Sequence, residues 1–276
     1  MNRLWIYLLF ALFLVGCNAE EEDPPCESFS AAAPCEWAIT EMAYMNMPRP
    51  ADSYNFPVCP GMEGWFTPDV VNKSYQIPEC VLKKMSTQAV IQAVLEHPNY
   101  VLTALGLSST ELKDEVYFEK GFCYSWSANL ELSKRKDAGV ALLERLRLMN
   151  PIAHIAFMRQ SEGFEWLLGH RIFLSQLKDV QKREIVEICL RNDALRLQEM
   201  RLLGRCTAFV LIGRTMLAAK YDPLIKAMND DVQLKNFITG SIIAEGKVNI
   251  DHGLTIENIE IIQSIIGLAK KYINQK

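Results

Sequence analysis

Apolar residues along this chain recur at intervals of three and four far more often than they alternate. Val186, Leu190, Ala194, Leu197 and Met200 step by four, four, three and three, and Phe209, Ile212, Met216 and Ala219 keep a similar rhythm up to Asp222-Pro223. Leu234, Ile238 and Ile242 make a further stripe. The clearest is C-terminal, where Ile259, Ile262, Ile266, Ala269 and Ile273 follow Thr255, a candidate cap. A period near 3.6 residues puts such positions on one side of an α-helix, so each stripe predicts a face turned to a core.

Helix signals continue upstream. Ser86 or Thr87 can cap a helix whose face holds Val90, Ile91, Val94 and Leu95, with His97-Pro98 closing it. Ser108 and Glu111 have capping-box spacing before Leu112 and Val116. Ser127 to Met149 is rich in good helix formers and predicts one helix stopped by Asn150-Pro151. Gly139 weakens its middle by about 1 kcal/mol unless a neighbour needs close approach there. Alternating β-branched runs bounded by turn pairs are absent, and no fixed repeat period emerges. The expected fold is all-α, either an irregular helical bundle or a small array of antiparallel helical hairpins.

The N-terminus has a different pattern. An unbroken apolar run from Leu4 to Val15 follows Arg3; as a helix it measures ~18 Å, short of the roughly 30 Å of bilayer hydrocarbon. That layout is an export signal. Leu14-Val15-Gly16-Cys17 resembles a bacterial lipobox, which makes Cys17 the expected site of lipid attachment; the alternative is an ordinary signal peptide followed by an incidental cysteine. Asn18 follows instead of aspartate, so the usual inner-membrane retention signal is missing. The acidic run Glu20 to Asp23 resembles the lipoprotein export signal of Bacteroidetes-type bacteria, although charge runs are also ordinary solvated tethers. The expected organisation is a signal peptide over residues 1–16, an acidic, proline-bearing tether with partial order over 17–57, and one all-helical domain over 58–276. The expected location is the outer membrane, on the cell surface or on the inner leaflet.

Composition narrows the function classes. Of the 276 residues half are hydrophobic, enough for a substantial core, and the net charge is −4 with both signs interspersed. Losing the leader with Arg3 makes it −5, and no basic stripe remains to engage a phosphate backbone, so nucleic acid is not an expected partner. Of eight cysteines, Cys17 is assigned to lipid; the remaining seven leave at least one unpaired within the chain. Cys26 with Cys35, and Cys59 with Cys80, are the plausible local pairs, each closing a loop across proline-rich chain. Cys189 and Cys206 would lie ~25 Å apart on one continuous helix and could meet only if Gly204 marks a sharp turn.

The four histidines, His97, His154, His170 and His252, are scattered, and no HExxH, CxxC or glycine-rich phosphate loop occurs. No cofactor or metal is expected. One enzymatic alternative stands: Cys123 in "GFCYSW" and His252 in "DHG" faintly resemble the nucleophile and base segments of papain-like cysteine peptidases. Against it, Glu119 and Lys120 stand where that family has its glutamine, and a periodic helix follows His252 where the family has a strand.

A second resemblance rests on more residues. Pro60-Gly61, Glu63 and Trp65 form P-G-x-E-x-W, "QIPECVLKKMST" runs from Gln76 to Thr87, and "ELSKRKDAG" from Glu131 to Gly139. Together these resemble a functionally uncharacterised family of secreted and lipid-anchored proteins of Bacteroidetes-type bacteria, over roughly residues 58–150. The resemblance implies a predominantly helical extracytoplasmic domain and carries no catalytic residues with it. Read as architecture, Ile77-Pro78 sets extended chain, Val81, Leu82 and Met85 make a first apolar turn, and Ser86 starts the next helix. Lys134, Arg135 and Lys136 read as a solvated helix face. The expected function is non-enzymatic binding or scaffolding at the envelope, with the membrane held through Cys17 and a protein or envelope component as partner; an accessory role facing the periplasm is the third possibility.

Overall fold

The computed structural model describes residues 33–35, 47–59, 61–97, 127–152, 158–199, 205–239 and 256–275. These are 68% helical and contain no strand, so the fold is all-α. In chain order the helices are α1 Pro68–Ser74, α2 Glu79–Leu82, α3 Thr87–Leu95, α4 Ser127–Lys134, α5 Ala138–Leu148, α6 Met158–Leu168, α7 Arg171–Leu174, α8 Asp179–Gln198, α9 Arg205–Ala218, α10 Asp222–Asp230, α11 Val232–Thr239 and α12 Ile256–Ile273. Among the described residues, no helix is long and apolar enough to cross a membrane.

Helix α9 is the hub, packing on α6, α7, α8, α10, α11 and α12. Its run Ala208 to Ile212 is buried without a break, as a helix surrounded by others requires. Gly213 sets how closely α11 approaches: a Cβ there would stand 2.6 Å from Ile238 Cγ1. A second group, α3, α4 and α5, joins the hub through α5 against α8 and α3 against α6. One continuous apolar core runs through both groups.

Several expected elements form as read. Ser86 caps α3, its Oγ accepting the Ala89 N–H at 3.2 Å. Asp52 orients that cap, accepting from the Ser86 N–H (2.6 Å) and hydroxyl (3.1 Å). Pro78 begins α2 in extended conformation, and Leu82 and Met85 are buried behind it. Residues flanking Ile77 lock this stretch to α4: Ile77 N–H donates to Ser127 Oγ (2.7 Å), and Ser127 N–H returns a bond to Gln76 Oε1 (3.0 Å).

Other elements depart from the expectation, each for a physical reason. The helix expected over 127–149 is two, broken at residues 135–137. Tertiary partners claim the backbone and side chains there. The Arg135 guanidinium caps the carbonyls of Leu82 (2.7 Å) and Met85 (3.1 Å), its own carbonyl accepts from Gln176 Nε2 (3.0 Å), and Asp137 accepts both ways from Thr87 (2.9 and 2.8 Å). Arg135 is therefore a structural clamp between exposed Lys134 and Lys136. Gly139 answers its own question: a Cβ there would collide with the carbonyl oxygen of Phe173, so α7 crosses α5 at this residue.

On α12, Ile262 and Ala269 are buried as expected, but Ile265 and Tyr272 complete the face while Ile259 lies 42% exposed, a rotation of the stripe. Part of the expected tether belongs to the core. Cys35, Tyr54 and Phe56 are buried, and Arg49 bonds Glu96 at the end of α3, so the folded unit begins earlier than residue 58.

The disulfide pairing is also corrected. Cys35 bonds Cys59, with Cα atoms 5.6 Å apart, which rules out both Cys59–Cys80 and Cys26–Cys35. Nearness in sequence misleads here because residues 47–59 fold over α3 and deliver Cys59 to Cys35. Cys80 is disulfide-bonded too. Cys189 and Cys206 are free thiols on the successive helices α8 and α9, and Gly204 lies outside the described residues.

The close approach at Gly139 gives a paired prediction. Gly139→Ala should lower unfolding stability by about 1–3 kcal/mol through overpacking against α7. Gly267→Ala on α12, where nothing lies within 4 Å of the added Cβ, should raise it by about 0.5–1 kcal/mol through helix propensity. Urea denaturation of the two variants beside the parent checks both signs.

Candidate functional site

Among the described residues, a dense collection of buried ionisable side chains lies where α6, α8 and α9 meet. Helix α8 buries Ile185, Val186, Ile188 and Cys189 in its first half, then inverts: Asn192, Asp193 and Arg196 are buried, while Leu195 (38%) and Leu197 (43%) face solvent. The stripe expected through Ala194 and Leu197 is therefore on the wrong side of the helix. From α6 come Glu162 and Glu165, from α9 Arg205 and Thr207, all buried.

Each of the ion-pair partners is satisfied in detail. Glu165 accepts from Arg196 Nη2 (2.8 Å) with one oxygen and from the Thr207 hydroxyl (2.8 Å) with the other. Arg205 grips Asp193 with both ends of its fork, at 2.5 and 3.0 Å, and its guanidinium sits 5.8 Å from the Phe209 ring centroid. Nearby, Arg214 lies 4.2 Å over the Trp166 ring and donates to the carbonyls of Ile238 (3.0 Å) and Thr239 (2.9 Å), closing the C-terminus of α11. Desolvating such charges costs several kcal/mol per ion, which only complete pairing offsets.

The thiols and the histidine here are kept in their neutral forms. Burial, with Glu165 adding repulsion, holds the Cys189 thiol well above its ordinary pKa. Burial and Glu162 push Cys206 up to about 11. A nucleophilic cysteine needs the opposite shift, towards the thiolate. His170 is held well below its ordinary value, first by burial and then by the Arg214 charge. Among the described residues, no three His, Cys, Asp or Glu side chains converge as a metal site. The chemistry of this arrangement is to hold three helices in one register.

A second polar network fastens the N-terminal segment. Arg49 makes a forked ion pair with Glu96 (2.7 and 3.0 Å) and donates to the Tyr54 carbonyl (2.8 Å). Gln92 Nε2 donates to Glu96 (2.6 Å), and its carbonyl oxygen accepts from the fully buried Arg145 (2.9 Å). Arg145 reaches on to the Gln88 side chain and carbonyl, both at 2.7 Å. Beside this network the buried His97 ring meets Tyr75 edge-on at 4.9 Å, and burial brings its pKa down to about 3.

The surface offers one other unusual feature, the P-G-x-E-x-W segment. Successive turns carry it: Met62 N–H donates to the Cys59 carbonyl (3.0 Å), Trp65 N–H to Met62 (3.2 Å) and Thr67 N–H to Gly64 (2.9 Å). Gly61 and Gly64 both sit at φ 86°, a left-handed conformation that explains glycine at each. Trp65 turns inward against Tyr75 (6.4 Å), which stacks on Phe56 (4.2 Å) and donates its hydroxyl to the Val58 carbonyl (3.0 Å). Phe66 turns outward and is 90% exposed, flanked by Met62 at 52% and Val70 at 42%.

Of the residues singled out from sequence, Cys17, Cys123 and His252 lie outside the described residues. Cys59 and Cys80 are structural disulfide cysteines with the pairing corrected above. Sequence reasoning assigned no helix over 158–174, because the charged and apolar residues of α6 are buried together and leave no stripe. It missed Phe66 as well, for which the adjacent aromatics Trp65 and Phe66 were the available signal: after a tight turn, neighbours point to opposite sides.

Two expected outcomes test these networks. Glu165→Leu leaves Arg196 buried without a counter-charge and should cost about 3–5 kcal/mol, much of it recovered in the Glu165→Leu/Arg196→Met double variant; denaturant titration of the cycle measures the coupling. His97 binds its proton less readily folded than unfolded, so its contribution is fully present above about pH 6.5 and is lost as pH falls toward 3. At pH 5 that loss should approach about 2 kcal/mol, and His97→Gln should remove it from the stability–pH profile.

Compared with family models, with curated proteins and with solved structures, the chain has no match.

Proposed function

We propose that this is a lipid-anchored extracytoplasmic helical protein with a non-enzymatic binding or scaffolding role at the outer membrane, displayed on the cell surface. One observation supports the non-enzymatic reading above others: among the described residues, the buried cluster of acids, bases and thiols between α6, α8 and α9 is spent on internal pairing. Glu165, Asp193, Arg196 and Arg205 neutralise one another in the interior, and the neighbouring thiols are held protonated. Such a cluster confers a rigid shape, and a rigid shape presented on a tether is what a binding or scaffolding module requires.

The location rests on the sequence: the apolar leader, Leu14-Val15-Gly16-Cys17 and the acidic run Glu20 to Asp23. The resemblance of the P-G-x-E-x-W, QIPECVLKKMST and ELSKRKDAG segments to those of secreted and lipid-anchored proteins of Bacteroidetes-type bacteria is in keeping with it. Each acyl methylene buried adds about 0.8 kcal/mol, so multiple chains on Cys17 would hold the domain on a bilayer, with no membrane-spanning helix needed.

Cell fractionation and protease shaving test this directly. The mature protein should sediment with outer membranes, and Cys17→Ser should move it to the soluble fraction. Protease added to intact cells should remove the domain. An unmodified Cys17, by mass of the N-terminal peptide, would overturn the anchor; protection of the domain in intact cells would place it on the periplasmic face instead.

A further inference from the structure

We infer that the turn-rich segment from Gly61 to Val70 is a membrane-contact loop, with Phe66 as the side chain that enters the lipid interface and Met62 and Val70 beside it. This rests on the reading of Cys17 as the anchor. Three observations carry it.

The first is where the chain from the anchor meets the fold. Cys35 is buried and covalently joined to Cys59, whose neighbour two residues on is Gly61. The covalent path from Cys17 to this loop therefore spans only about eighteen residues and a disulfide. Fully extended, that path reaches at most roughly 60 Å, and it enters the described fold at Cys35, one disulfide away from the loop. Tethering at that range raises the effective concentration of the bilayer around the loop, and contacts too weak to bind a free domain become populated.

The second is the chemistry of the tip. Phe66 is almost fully exposed although Trp65, next to it, is half-buried on Tyr75. The backbone amides of Met62, Trp65 and Thr67 are already bonded to carbonyls of the same loop. Lowering the tip into the interface therefore strands none of these donors in a medium that cannot replace their water. Glu63 and Asp69 accompany the apolar residues, so the contact is driven by apolar burial and does not depend on anionic lipid.

The third is size. A stable protein partner would engage about 20–30 residues on this side, and one turn-rich loop offers far fewer. An amphiphilic surface demands less, because an apolar tip with an indole behind it suits the boundary between headgroups and acyl chains.

Phe66→Trp supplies a reporter at a position that is 90% exposed. The acylated mature protein carrying it is reconstituted on zwitterionic phosphatidylcholine vesicles, and the added emission is read against the parent. Brominated acyl chains should quench that emission at least two-fold and shift it to the blue, while aqueous iodide should lose access. Adding Met62→Ser and Val70→Ser should restore the water-exposed signal without releasing the anchored protein. Emission that stays red and iodide-accessible overturns the proposal, and so does emission shielded from both quenchers, which would mean that protein covers the tip. If the natural Cys17 carries no acyl chain, coupling that thiol to a maleimide lipid supplies the anchor, so the quenching result reads the loop whether or not the anchor reading stands.

Discussion

The Glu165–Arg196 pair sits where α6, α8 and α9 cross, with both side chains essentially sealed from water. An isolated ion at that depth would be intolerable, so the helices can adopt only a register that brings the two together. Thr207 occupies the remaining carboxylate oxygen, and Arg205 with Asp193 repeats the requirement a few residues away. Because α9 is also the helix that α7, α10, α11 and α12 pack against, fixing its register against α6 and α8 fixes much of the bundle. Apolar packing alone tolerates sliding by a residue or a turn; a forked guanidinium–carboxylate contact does not.

The same logic operates at the other end of the core. Arg145, with no exposure, is satisfied by Gln88 and Gln92 of α3, and Gln92 passes the connection to Glu96 and Arg49. This chain of bonds binds α5, α3 and the segment that leads to the Cys35–Cys59 disulfide. The N-terminal segment is thereby an integral wall of the domain, and the loop from Gly61 is held by it. What reaches solvent at Phe66 is presented by a stiff support: an aromatic ladder of Trp65, Tyr75 and Phe56 behind it and two left-handed glycines shaping the turns.

These arrangements suit a protein that works by shape and position. Its buried acids and bases hold one another, burial keeps its described thiols protonated, and the most exposed apolar side chain among the described residues, Phe66, stands on the loop that follows the Cys35–Cys59 disulfide. Binding or scaffolding at the envelope needs that combination of a fixed body and a defined orientation. A domain meeting the membrane through both a lipid and a loop would present the opposite face outward in a repeatable way.

Sequence alone determined the helical class, the cap at Ser86, the proline start of α2, the hub stripe of α9 and the existence of α12 with Ile262 and Ala269 on its buried face, because these follow from local periodicity and local hydrogen bonding. Gly139 was legible as a choice between weakness and close approach, and the crossing of α7 decided it. The break at Arg135, the inversion of α8, the burial of α6 and the Cys35–Cys59 bond were beyond its reach. In each, a residue's environment is set by partners distant along the chain: Arg135 looks like one cation in a solvated run until Leu82 and Met85 present their carbonyls to it. Arg196 and Asp193 look like a polar face until Glu165 and Arg205 arrive to neutralise them. Charge belongs at the surface by default, and only the tertiary structure supplies the counter-charge that lets it go inside.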